Sequence, residues 1–367
     1  MKIERIEIYR VDQPLVYPFR TAFGNNESIE SVLVKLSADG VHGWGEGAPW
    51  QDPAYCSEWA SGQFLVTRDR LGPRLVGQDI SSGEQLHERL SIFKGNEFAK
   101  GALDNAWWDL YARSRGEPLW KTIGGTGPTI DVGADFGVME TIDLLIETIG
   151  QAMAEGFKRV KLKYRPGWEL DMISAARAAF PDTVFHVDCN SAYTLDDSPM
   201  LHQLDQYDLK FIEQPLMNDD LVDHAHLQSE IKTPICLDES IISPAKARKA
   251  IAIGACRWVN IKSCRVGGIT NALKINSICE EAGIPCWIGG MLESAIGQAH
   301  SIALATLANM KYPADIFPTD RFYHDDLGKP EIKLSGPSQI TAEPGPGTGV
   351  EPDPKLLEKM TIEKAVL

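Results

Sequence analysis

After residue 129 the chain alternates between short apolar segments and amphipathic helical segments, and this pattern constrains the fold more than any other. Eight segments are rich in β-branched or aromatic residues, and a helical pattern follows each of the first seven. The eight predicted strands are TIDVGADFGV, RVKLKY, VFHVDCN, LKFIEQP, TPICLDE, RWVNIKS, IPCWIGG and ADIFPT. Such alternation predicts parallel strands joined by right-handed crossovers, and eight units close a (β/α) barrel. The alternative is a doubly wound open sheet, which normally has fewer units or a nucleotide-binding fingerprint.

The first part of the chain is of mixed character. IERIEIYRV, ESVLVKLSA and HGWGEGA are predicted strands, and Asp39-Gly40 predicts a hairpin between the last two. Residues 21–27 and 49–55 are rich in glycine and polar residues, which is typical of mobile loops. A helical pattern then runs to the stop signal at residues 115–118, and the glycine-rich stretch 123–129 predicts the domain boundary.

Five charged residues end successive predicted barrel strands: Lys163, Asp188, Glu213, Asp238 and Lys262. They follow one another at intervals of 25, 25, 25 and 24 residues. Each therefore occupies the same position in its β/α unit, at the carboxyl end of the strand. In a barrel these ends meet at one mouth, where active sites are built. A single strand-end aspartate is usually a helix cap, but three acids and two lysines in phase predict a site.

Three carboxylates brought together repel one another, and a divalent cation relieves the repulsion. Because the ligand oxygens come without histidine or cysteine, the set favours Mg²⁺, or Mn²⁺ as a substitute, over zinc. Asn190 lies two residues beyond Asp188 on the same strand face and can support a ligand from behind. Glu239 and Glu293 are further candidates for such a supporting position.

Lys161 and Lys163 share one strand face, because side chains alternate with a period of two. An edge strand guarded by lysines is one explanation. The other is chemical: a nearby ammonium and a dication lower the pKa of Lys163, so that it can take a proton from the carbon α to a carboxylate. The resulting enediolate needs the electrostatic stabilisation that a cation supplies. Lys262, from across the mouth, could return a proton to the opposite face.

The formal net charge of −15 argues against nucleic acid and anionic membranes as partners, although it allows a small anionic substrate near local lysines. Seven scattered cysteines without a C-x-x-C pair indicate a reducing compartment. The charged N-terminal strand does not resemble a signal peptide, and no apolar run reaches the length of a membrane span. A cytoplasmic protein is expected.

The charged positions and their neighbours resemble the enolase superfamily, in its muconate-lactonizing subgroup. The matching motifs are K-x-K at Lys161 and Lys163, D-x-N at Asp188 and Asn190, E-Q-P at 213–215, D-E-S at 238–240 and K-x-x-R-x-G-G from Lys262. Enolase-superfamily sites with a lysine or histidine base and Mg²⁺ are themselves a worked example of this chemistry. The resemblance implies an α/β fold: a modified TIM (β/α) barrel with an N-terminal α+β capping domain completed by the C-terminal tail. The implied domains are residues 1–127, the cap with substrate-covering loops; 128–320, the barrel; and 321–367, which packs back on the cap.

Within the subgroup, PFRTAFG, GWGEGAPW, NIKSCRVGG, GGMLESAIGQAH and DIFPTDRFYHDD look most like the o-succinylbenzoate synthase / N-succinylamino acid racemase family. Several residues take their roles from this resemblance: Asp188, Glu213 and Asp238 as metal ligands, Lys163 and Lys262 as the acid/base pair, Lys161, Asn190, Glu239 and Arg265 as auxiliary residues, and Phe23, Gly24, Gly290, Met291 and Glu293 as substrate-binding residues. It further implies a small carboxylate substrate with a succinyl group, and a homo-oligomer.

Two activities compete within this family: syn dehydration to o-succinylbenzoate in menaquinone synthesis, and racemisation of N-succinylamino acids. The residues do not separate the two. Other subgroup reactions, such as cycloisomerisation or dipeptide epimerisation, are alternatives. Dipeptide epimerases carry D-x-D at the end of the eighth strand, whereas this chain has Pro318-Thr319-Asp320 there. Ser263-Cys264 replaces the Pro-Gly that is frequent in the family and could shift Lys262. A barrel kept only as a metal-binding scaffold is the non-enzyme alternative, but it predicts the loss of a lysine or an acid.

Overall fold

The computed structural model describes residues 1–21 and 24–367 of the 367-residue chain. Over these residues the strands are β1 (Arg5–Thr21), β2 (Gly24–Ala38), β3 (Val41–Gly47), β4 (Thr129–Asp131), β5 (Ala134–Phe136), β6 (Arg159–Lys163), β7 (Val184–Asp188), β8 (Ile212–Glu213), β9 (Ile235–Leu237), β10 (Trp258–Ile261), β11 (Cys286–Ile288), β12 (Gly328–Lys329), β13 (Gln339–Thr341), β14 (Glu351–Pro352) and β15 (Thr361–Val366). The α-helices are α1 (Ala60–Val66), α2 (Gly83–Leu90), α3 (Glu97–Ser114), α4 (Leu119–Thr122), α5 (Ile142–Ala154), α6 (Glu169–Ala179), α7 (Ser198–Leu201), α8 (Leu221–Glu230), α9 (Pro244–Ala252), α10 (Ile269–Glu281), α11 (Ala295–Ala305) and α12 (Pro354–Met360).

The central sheet confirms the predicted barrel architecture. Strands β5 to β11 form a seven-stranded parallel sheet in chain order, with helical segments between them. The connection after β7 contains the least α-helix of these, because only the four residues of α7 are α-helical and 3₁₀ turns flank them. The first predicted strand is divided: β4 pairs with β13 of the tail, while β5 begins the parallel sheet.

The prediction that ADIFPT forms an eighth strand is wrong. The segment nevertheless occupies the position in the barrel where that strand was expected. The amide of Ala314 donates to the carbonyl of Asp131 (2.9 Å), and the amide of Asp315 donates to the carbonyl of Ile288 (2.9 Å). The amide of Gly133 also donates to the carbonyl of Ala314 (3.1 Å), so the segment bonds to the chain at both ends of the sheet and closes the barrel with a few hydrogen bonds. Prolines at both sides, Pro313 and Pro318, lack an amide donor and prevent a longer ladder.

The capping sheet is antiparallel, with the strand order β15-β1-β2-β3. Asp39 and Gly40 connect β2 and β3 with φ of 52° and 74°, which confirms the predicted hairpin. Helix α3 packs directly on β3, where a Cβ on Gly43 would lie 2.2 Å from the amide nitrogen of Leu110. The close contact of strand and helix therefore requires glycine at this position.

The predicted loop over residues 21–27 is wrong for residues 24–27, which belong to β2. Gly24, Asn25 and Asn26 continue the ladder with β1, because the hairpin extends well beyond the sheet body. Ala22 and Phe23 lie outside the described residues.

Two large apolar cores support these layers, one between the barrel strands and helices and one between the capping sheet and α1–α3. A third cluster, which includes Phe19, Trp50, Tyr55, Met291 and Phe317, joins the cap to the barrel. In the described part of the chain, no helix has both the length and the apolar character needed to cross a lipid bilayer.

Candidate functional site

The strand register places three of the predicted site residues side by side. Lys163 of β6 lies opposite Asp188 of β7, which lies opposite Glu213 of β8. Asp238 follows β9, whose Cys236 is in register with Glu213. Lys262 follows β10 in the same way. The spacing of about 25 residues therefore corresponds to one row of side chains at the carboxyl ends of adjacent strands.

The ammonium group of Lys161 lies at the centre of this row. Its Nζ is 2.9 Å from Oδ2 of Asp188, 3.1 Å from Oε2 of Glu213 and 3.0 Å from Oδ2 of Asp315. Lys163 donates to Oδ2 of Asp188 (2.7 Å) and to Oδ1 of Asn190 (3.0 Å). The two lysines thus face the acids, as the strand alternation predicted.

Asp238 lies at the opposite side of the mouth and has its own basic partners. Nζ of Lys262 donates to Oδ2 of Asp238 (2.9 Å), and Nη1 of Arg265 bonds Oδ1. The hydroxyl of Tyr55 from the cap is 3.1 Å from Nζ of Lys262 and 3.2 Å from Nη1 of Arg265. The cap therefore completes this half of the site.

A second set of polar side chains holds the acids in position. Nδ2 of Asn190 donates to Oε1 of Glu239 (3.2 Å), which brings these two predicted auxiliary residues together. Nδ2 of Asn260 donates to Oε1 of Glu213 (2.6 Å). Oε1 of Gln214 accepts from the amide of Asp238 (3.0 Å) and so fixes the end of β9. Sequence reasoning missed Asn260, although it precedes Lys262 by two residues on the same strand.

Asp135 and Asp315 were also missed. Asp135 is the central residue of β5, in register with Lys161, and Asp315 lies in the eighth segment. Nη1 of Arg159 is 2.7 Å from Oδ1 of Asp315, and both side chains are buried. Asp135 precedes Lys163 by 28 residues, so the 25-residue interval extended backwards reaches Val138 and does not find it.

An enclosed cavity of about 40 Å³ lies at the mouth of the barrel. Lys161, Lys163, Lys262, Asn190, Gly290 and Met291 line it, together with Asp135, Asp315, Leu292, Phe317 and the cap residues Phe19, Trp50 and Tyr55. The three predicted ligand acids are not in the lining, since the lysines that line the cavity are bonded to them.

The structure brings two of the five predicted substrate-binding residues to this cavity. Gly290 and Met291 line it, and Nε1 of Trp50 donates to the carbonyl of Met291 (2.8 Å). Glu293 lies behind them and accepts from the amide of Met291 (2.8 Å). For Gly24, the structure gives only its position as the first residue of β2. Phe23 is outside the described residues.

Burial and neighbouring charges shift the pKa values of several site residues. Burial alone would raise the pKa of Asp188, but Lys161 and Lys163 hold it well below its usual range. Burial alone would lower the pKa of Lys161, but Asp188, Asp315 and Glu213 raise it well above its usual value. Burial, and then the charge of Asp188, raises the pKa of Glu239 to about 7. Lys161 is therefore a permanent cation of the site.

The donor chemistry of the site fits a hard divalent cation. Seven buried carboxyl groups gather here: Asp135, Asp188, Glu213, Asp238, Glu239, Glu293 and Asp315. Among residues 1–21 and 24–367, five charged basic groups pair with them: Arg159, Lys161, Lys163, Lys262 and Arg265. His186 lies beside Glu213, but burial lowers the pKa of its imidazole to about 4. A surplus of buried carboxyl groups with oxygen-only donors suits Mg²⁺ or Mn²⁺. Over residues 1–21 and 24–367, no three acidic, histidine or cysteine side chains already surround one point as a metal cage, because the lysines hold the carboxylates.

Comparison with known proteins covers nearly the whole chain. Residues 5–124 match the mandelate racemase / muconate lactonizing enzyme N-terminal domain, and residues 145–356 match the enolase C-terminal domain-like family. The chain is 41% identical over 362 residues to an o-succinylbenzoate synthase of Geobacillus kaustophilus, covering 98% of this chain and 96% of that one. It is 41% identical over 365 residues to an N-succinylamino acid racemase of Amycolatopsis sp, covering 99% of each. The crystal structure of an enolase-superfamily member from Listeria innocua superposes with a TM-score of 0.96 at 37% identity, covering 100% of this chain and 99% of that one.

Proposed function

The chain belongs to the enolase superfamily, in its mandelate racemase / muconate lactonizing enzyme family, and from this premise we propose that it removes the proton α to the carboxylate of a succinyl-bearing substrate. The product is o-succinylbenzoate after loss of water, the racemised N-succinylamino acid, or both. Of two relatives at 41% identity, one is named o-succinylbenzoate synthase and the other N-succinylamino acid racemase. The observation that carries the proposal is that Lys163 and Lys262 line one enclosed cavity from strands on opposite sides of the barrel mouth.

We infer that Lys163 is the base. Its side chain is less deeply buried than that of Lys161 and lines the cavity, where the α-carbon of a bound carboxylate would lie. Lys161 remains charged and pairs with both Asp188 and Glu213, whereas Lys163 pairs with Asp188 alone of these two acids. A planar enediolate in the cavity would present one face to Lys163 and the other to Lys262.

The two reactions use the second lysine differently. In racemisation, Lys163 or Lys262 removes the α-proton and the other returns one to the opposite face. In syn dehydration, Lys163 removes the proton and then protonates the departing hydroxyl, which leaves as water. Lys262 then stabilises the enediolate as a neighbouring cation, which is consistent with its deep burial.

We propose that Asp188, Glu213 and Asp238 hold a divalent cation, with Mg²⁺ preferred and Mn²⁺ as a substitute. When bound, this cation supplies Lewis-acid stabilisation of the negative charge that develops on the substrate carboxylate. Arg265 orients Asp238, and Asn190, which Glu239 holds in place, donates from Nδ2 to Oδ2 of Asp188 (3.3 Å). To release Asp188, the ammonium groups of Lys161 and Lys163 move off Oδ2.

The cap supplies the roof of the site in this proposal. Trp50 and Tyr55 close the cavity, and Phe23, Gly24, Gly290 and Met291 contact the substrate, with Glu293 behind Met291. The proposed organisation is a cap of residues 1–127, a barrel of residues 128–320 and a returning segment of residues 321–367. A homo-oligomer is proposed from the resemblance to the family.

The test is the Mg²⁺-dependent dehydration of the succinyl-hydroxycyclohexadiene carboxylate, followed by ultraviolet absorbance, beside the loss of optical rotation of N-succinylamino acids. At least one reaction should reach a kcat/KM of roughly 10⁴ M⁻¹s⁻¹ or more. Lys163→Ala should lose roughly 10³-fold or more, while exposed Lys333→Ala serves as the control. No turnover of either substrate by a folded protein with saturating Mg²⁺, or full activity of Lys163→Ala, contradicts the proposal.

A further inference from the structure

Beside the enclosed cavity lies an open cleft of about 470 Å³, formed by the cap, β5 and the residues after the eighth barrel segment. Its walls are largely apolar and include Tyr17, Phe19, Val138, Met139, Leu144 and Phe322. Phe19 and Asp135 line both the cleft and the enclosed cavity. The cavity of about 40 Å³ holds little more than the reacting atoms of a substrate. A larger substrate needs further space, and the adjoining cleft provides it.

Arg321 is the one basic residue among the described residues that line this cleft. Three phenyl rings surround its guanidinium, with centroids at 5.6 Å for Phe136, 5.5 Å for Phe317 and 5.7 Å for Phe322. Nη2 of Arg321 donates to the backbone carbonyl of Asp135. Its Nε is buried and has no hydrogen-bond partner within residues 1–21 and 24–367.

A buried guanidinium N–H without a partner is costly, and a carboxylate is the group that matches it best. The three phenyl rings and the bond to the Asp135 carbonyl restrict the movement of the guanidinium. This preorganisation lowers the entropy lost when an anion binds. The surrounding apolar wall suits the methylene groups of a short acyl chain.

The position of Arg321 relative to the reacting lysines fits a dicarboxylate. Asp135, whose carbonyl holds Arg321, lies in register with Lys161 on the next strand, and adjacent strands are about 4.8 Å apart. One carboxylate can thus lie near the lysines while a second, a few methylene groups away, reaches Arg321.

We propose that Arg321 binds the distal carboxylate of the substrate, the free end of its succinyl group, and so selects succinyl over uncharged acyl groups. This assignment rests on the proposed function, whose reacting carboxylate it takes as given. Asp135 and Glu140 also line the cleft, so a cationic side chain of the substrate is the competing occupant.

Paired substrates that differ only at the distal carboxylate test the assignment. The N-succinyl and N-acetyl derivatives of one amino acid are compared in wild type, Arg321→Gln and Arg321→Lys. Arg321→Gln should lower kcat/KM for the N-succinyl substrate by roughly 10- to 100-fold, chiefly through KM, and leave the N-acetyl substrate within about twofold. Arg321→Lys should recover part of the loss. Equal losses for both substrates, or no loss, would overturn the assignment.

Arg165→Gln is the matched control. The guanidinium of Arg165 also lies over an aromatic ring, that of Trp168 (4.9 Å), but it lines neither the cavity nor the cleft. The Arg165→Gln variant should discriminate between the N-succinyl and N-acetyl substrates as well as wild type does. A loss of selectivity in this variant as large as that in Arg321→Gln would contradict a specific role for Arg321.

A binding measurement separates this proposal from the proposed function. Calorimetry with o-succinylbenzoate and with 2-butanoylbenzoate, which lacks the distal carboxylate, requires no turnover. Wild type should bind o-succinylbenzoate at least tenfold more tightly, and Arg321→Gln should remove that difference. If the wild-type protein turns over neither substrate class yet shows this difference, the proposed function fails and the anion site stands. Equal affinity of wild type for the two benzoates would overturn the anion site.

Discussion

At the residue scale, two lysines two positions apart on one strand face have separate tasks. Lys161 is almost fully buried, bonds three carboxylates and retains its charge. Lys163 lines the cavity beside Lys161, and its side chain is 11% exposed against 4% for Lys161. The alternation of strand faces could predict that both point into the mouth, but only the bonding pattern separates the fixed cation from the proposed base.

Lys161→Met should destabilise the fold far more than Lys163→Met. Removing the Lys161 ammonium leaves buried Asp188, Glu213 and Asp315 with one cation fewer, and breaking a buried ion pair costs about 3–5 kcal/mol. Lys163→Met leaves Lys161 bound to Asp188, so the loss is smaller. Urea unfolding of both variants without added divalent cation measures the difference. Equal stability of the two variants would show that Lys161 is not the principal counter-charge.

Tyr55→Phe should impair chemistry more than binding. Its hydroxyl lies within hydrogen-bond distance of Lys262 and Arg265, and Nζ of Lys262 is 4.7 Å from the ring centroid. Phenylalanine keeps the packing but removes the oxygen that orients the ammonium. We expect kcat to fall roughly tenfold with KM within about twofold. A rise in KM alone would place Tyr55 in substrate binding instead.

At the element scale, strands that end in a charged residue can be predicted from the sequence. Elements without a regular ladder of backbone hydrogen bonds cannot. The interval of about 25 residues located the ends of β6 to β10. It did not locate Asp135, on a strand of three residues, or Asp315, on a segment without strand structure. The contact of Tyr55 with Lys262 joins residues 207 positions apart, and no local pattern encodes such a contact.

The contact between β3 of the cap and α11 of the barrel should make stability depend on pH. Glu46 accepts from the hydroxyls of Ser31 (2.8 Å) and Ser294 (2.5 Å) and from the amide of Gly297 (2.9 Å). Burial raises the pKa of Glu46 to about 7, from the ordinary 4.5. The folded protein therefore favours the protonated form, and the stability that this carboxyl contributes below pH 4.5 is lost as the pH rises through 7.

Glu46→Gln should remove that part of the pH dependence. The shift corresponds to about 3 kcal/mol between pH 4.5 and pH 8. Urea unfolding at several pH values in this range should show a flatter profile for Glu46→Gln than for wild type. Exposed Glu358→Gln is the control and should keep the wild-type profile. Parallel profiles for wild type and Glu46→Gln would contradict the assignment.

At the scale of the whole molecule, the cap and the barrel depend on both ends of the chain. The capping sheet consists of three N-terminal strands and the last strand, β15, which covers the edge of β1. The same sheet carries Phe19 and leads into the segment with Trp50 and Tyr55, all three of which line the cavity. The C-terminal strand thus supports the roof of a site from which it is distant in sequence.

Removal of residues 361–367 should therefore reduce both stability and activity. The truncation exposes the β1 edge, which favours aggregation. It also removes one of the two acidic partners of Arg10, whose Nε donates to Oε2 of Glu363 (2.7 Å) and whose Nη1 donates to Glu30. We expect Tm to fall by roughly 5–10 °C. KM should rise by a larger factor than kcat falls, because the roof residues contact the substrate and the lysines belong to the barrel.

Glu363→Gln distinguishes the contribution of the β15 strand from that of the Arg10–Glu363 ion pair. This variant keeps the β15 ladder and loses only a partly exposed charge pair, worth about 1 kcal/mol or less. Its Tm should lie within about 3 °C of wild type, with unchanged kinetics. If the truncated protein matches Glu363→Gln in both Tm and KM, the last strand contributes only its charge and the roof is held by the N-terminal strands alone. If the truncated protein loses more in both, the backbone ladder of β15 links the C-terminus to the geometry of the site.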